Sequence, residues 1–185
     1  MGAGSDEIGG GVSIPINEEF FEQTIIEHMV NVLGYEHLYG PDVPRTDSLY
    51  HDVFLIDVLQ SSLWRINPGL PAAAIHEAIL RLNDVDAGSL AQRNERFSDC
   101  VQSGVEVRFF DGKEERNDIV RLVDYDRPEN NTFQVVNQWT FVEHEQKRPD
   151  IVVFVNGMPL VVFELKSPSR EETDASDAYL QLRNY

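Results

Sequence analysis

The stretch Arg148-Pro149-Asp150-Ile151-Val152-Val153-Phe154-Val155-Asn156-Gly157-Met158-Pro159-Leu160-Val161-Val162-Phe163-Glu164-Leu165-Lys166 decides the fold. Asn156-Gly157 separates two apolar runs rich in β-branched residues. In that setting Asn-Gly is the strongest short-range hairpin signal, because both turn residues must adopt positive φ. Asp150 then opens one strand, the chain reverses, and Glu164 and Lys166 close the next. The hairpin brings three charges that are distant in sequence to one end of a sheet. The second strand is apolar at both parities, Leu160 and Val162 on one side and Val161, Phe163 and Leu165 on the other. This predicts a strand covered on both faces. Glu164 and Lys166 share the parity of Leu160 and Val162, so they project to the rim of a covered face. Ionised groups there are costly unless paired or bound to a metal. Two carboxylates converging beside an ammonium suit a hard cation with a proton-handling lysine. The same short spacing also fits a surface strand with an ordinary Glu–Lys pair.

Outward from the hairpin, Thr132 to Val142 alternates as one long strand, with Phe133, Val135, Asn137, Trp139 and Phe141 on one side. Arg127-Pro128-Glu129-Asn130-Asn131 reads as a turn or loop before it. Val105 to Phe110 and Ile119 to Tyr125 predict strands about the turn Asp111-Gly112-Lys113. Helices come earlier. Asn17 caps one that reaches about Leu33, with Gly34 as its stop. Phe21, Ile25, Met29 and Val32 form an apolar stripe on it. Glu22, Ile26, Met29 and Leu33 form a neighbouring one, so Glu22 borders the buried face. Asp47 or Ser48 starts a second helix through Val53, Leu55, Ile56, Leu59 and Leu63. Pro71 opens a third over Ile75, Ile79 and Leu82, and Ser89 caps a fourth toward Cys100, Val101 and Gly104. After the hairpin, Thr173 or Asp174 starts a last helix carrying Ala178, Gln181, Leu182 and Tyr185. Helices, an antiparallel meander, then a helix predict one α/β or α+β domain. Residues 1–16 are expected to be a flexible tail and 17–185 the domain.

The composition, 42% hydrophobic and 25% charged over 185 residues, fits a soluble globular domain. No apolar run approaches a bilayer span, and the N-terminus lacks a signal-peptide core. The single cysteine, Cys100, excludes an internal disulfide and fits a reducing cytoplasm. His28, His37, His51, His76 and His144 show no paired metal-ligand spacing, which argues against zinc. No phosphate-binding Gly-rich loop with Lys-Ser or Lys-Thr is present, so no ATP site is read. Lys+Arg number 15 against 32 Asp+Glu, a formal net charge of −17. That field repels phosphates and is unlike a free-standing DNA-binding module. Either attached machinery delivers the domain to DNA, with a divalent cation offsetting local repulsion, or the domain does not touch nucleic acid. Lys147, Arg148 and Arg170 near the motif could meet phosphates or be ordinary surface charge.

Pro149-Asp150 with Glu164-Leu165-Lys166 resembles the PD-(D/E)xK nuclease motif. The surrounding residues resemble the nuclease domain of the restriction subunit of type I restriction-modification enzymes. Gln181 and Tyr185 match the Gln-x-x-x-Tyr element after the lysine in that family and in RecB-like nucleases. Leu33-Gly34-Tyr35-Glu36 with Gly40-Pro41 resembles the family's first helix and its exit. Asn137-Gln138 sits in the strand before the motif, as it does there. The resemblance runs from Asn17 to Tyr185. It implies an α/β PD-(D/E)xK restriction-endonuclease-like core, a central mixed sheet flanked by helices, with an N-terminal helical layer.

The resemblance also implies a cytoplasmic type I site-specific deoxyribonuclease that hydrolyses double-stranded DNA with Mg²⁺. In the family, the counterparts of Asp150 and Glu164 are metal ligands. The counterpart of Lys166 positions or deprotonates water and stabilises charge on the phosphate. Glu22 resembles the first-helix acid that supports the metal, with Glu18 and Glu19 competing for that role, and it also fits an ordinary helix-surface glutamate. Gln181 and Tyr185 would contact DNA or support the catalytic groups. The chain would be the N-terminal part of a longer one. ATP would be used in motor regions beyond it, and methylation and specificity subunits would be its partners, with no membrane involved. The rival readings are a stand-alone nuclease of the same superfamily and a non-catalytic interaction domain that keeps the fold.

Counterion release needs basic contacts, and few are available at a net charge of −17. The isolated chain is therefore expected to bind DNA weakly, without sequence preference, and to cut it negligibly with Mg²⁺, with or without ATP. A plasmid-cleavage assay checks this, and efficient site-specific cutting would favour the stand-alone nuclease.

Overall fold

The computed structural model describes residues 17–45, 53–83, 88–142 and 145–166. Helix α1 (Glu18–Asn31) starts where Asn17 Oδ1 accepts the Phe20 N–H at 2.9 Å. It ends at Asn31, and beyond it Gly34, whose φ is +74°, lets the chain turn out, with the Tyr35 N–H bonded to Met29 O at 3.0 Å. Ile26 is buried, with Ile25, Met29 and Val30 packed beside it. Phe21 and Val32 are 36% and 66% exposed, so the apolar stripe expected through them is not the one the helix buries. Of the neighbouring stripe, Ile26 is buried and Met29 half-buried, Leu33 is 53% exposed, and Glu22 lies half-buried.

Strand β1 (Glu36–Tyr39) leads to α2 (Ile56–Ile66), α3 (Ala72–Asn83) and α4 (Leu90–Ser103). The second helix starts later than the sequence suggests. Residues 46–52 lie outside the described residues, and Val53 to Leu55 are not helical. The Leu55 N–H is instead bonded to Gly157 O at 2.9 Å, a tertiary partner that holds this segment in an extended approach. The Ser89 cap on α4 is a reciprocal capping box with Gln92.

Strands β2 (Val105–Phe110) and β3 (Glu115–Val120) form a hairpin with Phe110 opposite Glu115. Asp111 Oδ1 accepts the Lys113 and Glu114 N–H groups at 2.9 and 3.0 Å. That tight turn brings the chain back into register at Glu115, so the second strand is spent by Val120 rather than running from Ile119 to Tyr125. The remaining strands are β4 (Phe133–Asn137), β5 (Phe141–Val142), β6 (Gln146–Lys147), β7 (Ile151–Val155) and β8 (Met158–Phe163). The single strand expected from Thr132 to Val142 is broken at Gln138, whose φ is 57° and whose N–H is bonded to Asp150 O at 3.2 Å. Its alternation fails too. Gln134, Val135 and Val136 are buried in succession because β4 is central and covered on both faces.

The principal sheet has the order β1-β4-β7-β8, with β1 parallel to β4 and the other pairs antiparallel. The crossover from β1 to β4 carries α2, α3, α4 and the β2–β3 hairpin. Helix α1 packs Ile26 on the face of Val135 and Ile151. Leu55, Val58 and Trp139 cover the opposite face at Val136, Val152 and Phe154. A third core joins α2, α3 and the β2–β3 hairpin. This is the α/β arrangement, a mixed sheet flanked by helices, that the resemblance implies. Strand β8 departs from expectation. Leu160, Val161 and Val162 are 36%, 46% and 37% exposed, because the middle of this outer strand lies beyond the described helices. Among the described residues no helix is long and apolar enough to cross a membrane.

The turn of the β7–β8 hairpin is anchored in the interior. Val155 pairs with Met158 across Asn156 (φ 52°) and Gly157 (φ 80°), both in the left-handed region, as the Asn-Gly signal requires. The Asn156 side chain is fully buried. Its Oδ1 accepts the Thr132 N–H at 2.8 Å, and its Nδ2 donates to Leu122 O and Asn131 Oδ1, both at 2.8 Å. A Cβ on Gly157 would lie 2.6 Å from both Leu55 O and Leu59 N. Gly157→Ala should therefore lower stability by roughly 2–5 kcal/mol, from left-handed strain plus overpacking against backbone. Asn156→Ala orphans buried donors and acceptors and should cost about 2–4 kcal/mol. Urea unfolding of the two variants measures both losses, and a shift of under about 0.5 kcal/mol in either would show the anchor to be dispensable.

Candidate active site

Asp150 directly precedes β7 and Glu164 directly follows β8. Because Ile151 pairs with Phe163, the two acids flank the same end of the antiparallel hairpin, as the sequence suggests. The Leu165 N–H donates to Asp150 Oδ2 at 2.7 Å, which ties the two strand ends together. Lys166 Nζ lies 3.1 Å from Glu164 Oε1. The Glu164 side chain is only 6% exposed and that of Lys166 28%. An ion pair in this setting is held by geometry and leaves a costly buried carboxylate if the lysine is removed.

Burial pushes the Asp150 carboxyl above the ordinary 3.8, and the charges of Glu164 and Glu22 push the same way. The Leu165 N–H and the Lys166 ammonium oppose them. The charge of Glu22 therefore acts at the motif although the residue sits on α1. Its Oε1 accepts the Asn137 amide at 2.7 Å. Asn137 ends β4 opposite Ile151, beside the start of β7. Asn137 Oδ1 in turn lies 3.0 Å from His37 Nε2 on β1. Glu18 and Glu19 are exposed in the first turn of α1.

The structure thus brings together Asp150, Glu164, Lys166 and Glu22. Gln181, Tyr185, His144 and Arg170 lie outside the described residues. Lys147 pairs with Glu145 at 3.8 Å and Arg148 is exposed. Burial and the Asp99 charge raise the Cys100 thiol, which suits an inert residue. Asn137 and His37 are not marked by the sequence as members of the site. The available signal is a polar residue closing the face that Phe133 and Val135 begin.

Among the described residues, no group of three or more His, Cys, Asp or Glu side chains forms a metal cage. Mg²⁺ does not need one. It is commonly held by one or two carboxylates, with waters and substrate phosphate filling the shell. Asp150 and Glu164 supply hard oxygen donors, and the repulsion that Glu164 and Glu22 exert on Asp150 is what a divalent cation would relieve. The donor set fits the ion.

Residues 15–185 match the family model for the type I restriction enzyme R protein N terminus. The chain is 34% identical over 177 residues to the type I restriction enzyme HindI endonuclease subunit of Haemophilus influenzae. That alignment covers 92% of this chain and 17% of the relative. It is 30% identical over 173 residues to a putative type I restriction enzyme MjaIXP endonuclease subunit of Methanocaldococcus jannaschii, covering 89% of this chain and 16% of the relative. The chain therefore spans about a sixth of the length of these relatives.

The raised Asp150 value gives a pH dependence opposite to that of a salt-bridged aspartate. The folded state holds the Asp150 proton more tightly than the unfolded chain, whose carboxyl titrates near 3.8. Ionisation of this group therefore costs stability as pH rises from the unfolded value through the folded one, and the cost persists above. In metal-free buffer Asp150→Asn should melt higher than the parent at neutral pH and lose that advantage below the unfolded value. Thermal melts across the acidic range check this. A variant advantage that does not change with pH would assign it to something other than the carboxylate charge.

Proposed function

We propose that this chain, which belongs to the type I restriction enzyme R protein N-terminus family, is the DNA-cutting domain of a type I restriction enzyme. Its reaction is Mg²⁺-dependent hydrolysis of phosphodiester bonds in double-stranded DNA. The observation that carries this reading is the gathering of Asp150, Glu164 and Lys166 at one hairpin end.

Asp150 and Glu164 would hold the cation. When bound, Mg²⁺ supplies Lewis acidity at the scissile phosphate and acidifies a coordinated water. The protein groups have separate tasks. The Leu165 N–H fixes one Asp150 oxygen, which would leave the other to the cation. Lys166, held against Glu164, presents an ammonium where negative charge builds on the phosphate and where a water proton must be handled. Glu22 adds a carboxylate from α1, and Gln181 and Tyr185 are assigned to DNA contact or support of these groups.

The net charge of −17 gives the domain little affinity of its own for a polyanion. The remainder of a longer chain, carrying an ATP-driven motor, and the methylation and specificity subunits would bring the domain to DNA in the cytoplasm. The same acidic surface favours the rival reading, an interaction domain that keeps the nuclease fold without cutting. A stand-alone nuclease is the other alternative.

In the complete complex, Asp150→Ala, Glu164→Ala and Lys166→Ala should each lower DNA cleavage by at least about a hundredfold while ATP hydrolysis stays at the parental rate. Plasmid linearisation and phosphate release, measured on the same preparations, separate the readings. Undiminished cutting by Lys166→Ala would remove the lysine from the chemistry. Undiminished cutting by all three would leave the interaction domain as the better account.

A further inference from the structure

The Asn137 amide is placed where an apolar side chain would be cheaper. Phe133 and Val135 precede it on the same face of β4, and its neighbour across the pairing is the fully buried Ile151. A half-buried amide in such a place needs both of its ends satisfied. Both are. A carboxylate only accepts, so the 2.7 Å contact with Glu22 Oε1 obliges Asn137 to present its Nδ2 there. Asn137 Oδ1 then faces His37 Nε2 at 3.0 Å, and that nitrogen must carry a hydrogen to donate. The orientation of the amide is thus set from the β1 side by His37 and spent on the α1 side on Glu22. The parallel register makes this possible. Tyr39 lies opposite Asn137 and His37 opposite Val135, so the imidazole and the amide stand on one face of adjacent strands.

Glu22 is the beneficiary. It sits on a helix, half-buried at the edge of the face packed on the sheet, with open solvent as its alternative environment. The amide holds its carboxylate at the end of the sheet where its charge acts on Asp150. We propose that Asn137 and His37 are positioning residues: His37 fixes the Asn137 amide, and Asn137 holds Glu22 beside Asp150, where its charge strengthens binding of the divalent cation. The inference rests on the nuclease reading above and adds to it a line of support running from β1 through β4 to α1. Neither residue touches the reacting atoms, so their loss acts through Glu22. The size expected is that of outer-shell support at metal sites, about tenfold in affinity.

The test is Mn²⁺ binding followed by electron paramagnetic resonance, with the intact restriction subunit and no DNA. Asn137→Val keeps the strand face apolar and folded and should weaken Mn²⁺ binding about tenfold. Glu22→Ala should weaken it to a similar degree. The decisive protein is the double variant. If Asn137 acts through Glu22, Asn137→Val adds nothing once Glu22 is gone. His37→Ala should give a smaller loss that likewise disappears in the Glu22→Ala background. Parental affinity in Asn137→Val, or losses that multiply in the double variant, would overturn the proposal. Asp150→Ala separates this failure from that of the nuclease reading. Abolished binding in Asp150→Ala with parental binding in Asn137→Val overturns the positioning role alone. Parental binding in Asp150→Ala overturns the metal site itself and this inference with it.

Discussion

The Asn156 side chain, sealed from solvent, joins the hairpin turn to Thr132, Asn131 and Leu122 through three hydrogen bonds. Beside it, Gly157 lets the turn press against the backbone of Leu55 and Leu59. Met158, fully buried, plugs the core between α2, α3 and the β2–β3 hairpin. The turn is therefore the junction where the sheet meets the helical crossover. Its fixation has a consequence at the other end. With the turn anchored and the β7 register set against β4, the positions of Asp150 and Glu164 follow from strand length, pairing and the register shift between Val153 and Phe154.

The end that carries Asp150 and Glu164 is built on the opposite physical logic. The turn end satisfies the buried Asn156 amide internally, whereas the other end concentrates like charges. Burial first, and then the charges of Glu164 and Glu22, raise the Asp150 carboxyl, and one backbone N–H and one lysine offset this only in part. Such an arrangement costs stability that a stable packed end can supply. Functional sites commonly store unfavourable electrostatics in this way, to be relieved by a ligand of opposite charge. In a chain with a net charge of −17, a bound divalent cation would also be the local means of admitting a phosphate.

The hairpin, the shared end of Asp150 and Glu164, the Asn17 and Ser89 caps and the half-buried place of Glu22 were all legible in the sequence. Each depends on residues close together along the chain: a turn dipeptide, a capping side chain, a helical stripe. Helix α2 and the long strand were misread at points where tertiary bonds intervene. The Leu55 N–H takes Gly157 O, and the Gln138 N–H takes Asp150 O, and in each case a partner far along the chain ends a local pattern. Val161 and its neighbours show the converse. An apolar run fixes that a strand forms but not which other elements cover it.

By itself, the sequence determined the local backbone and the chemical identity of the motif, because turn propensity, capping and side-chain parity operate over a few residues. The tertiary structure alone decided that His37, Asn137 and Glu22 form one hydrogen-bonded line ending beside Asp150. That outcome needed the parallel pairing of β1 with β4, which is closed only through the long helical crossover between them. It also needed the packing of α1 across the sheet. No local periodicity encodes either, since a side chain's partners across a parallel register are set by where a distant strand comes to lie.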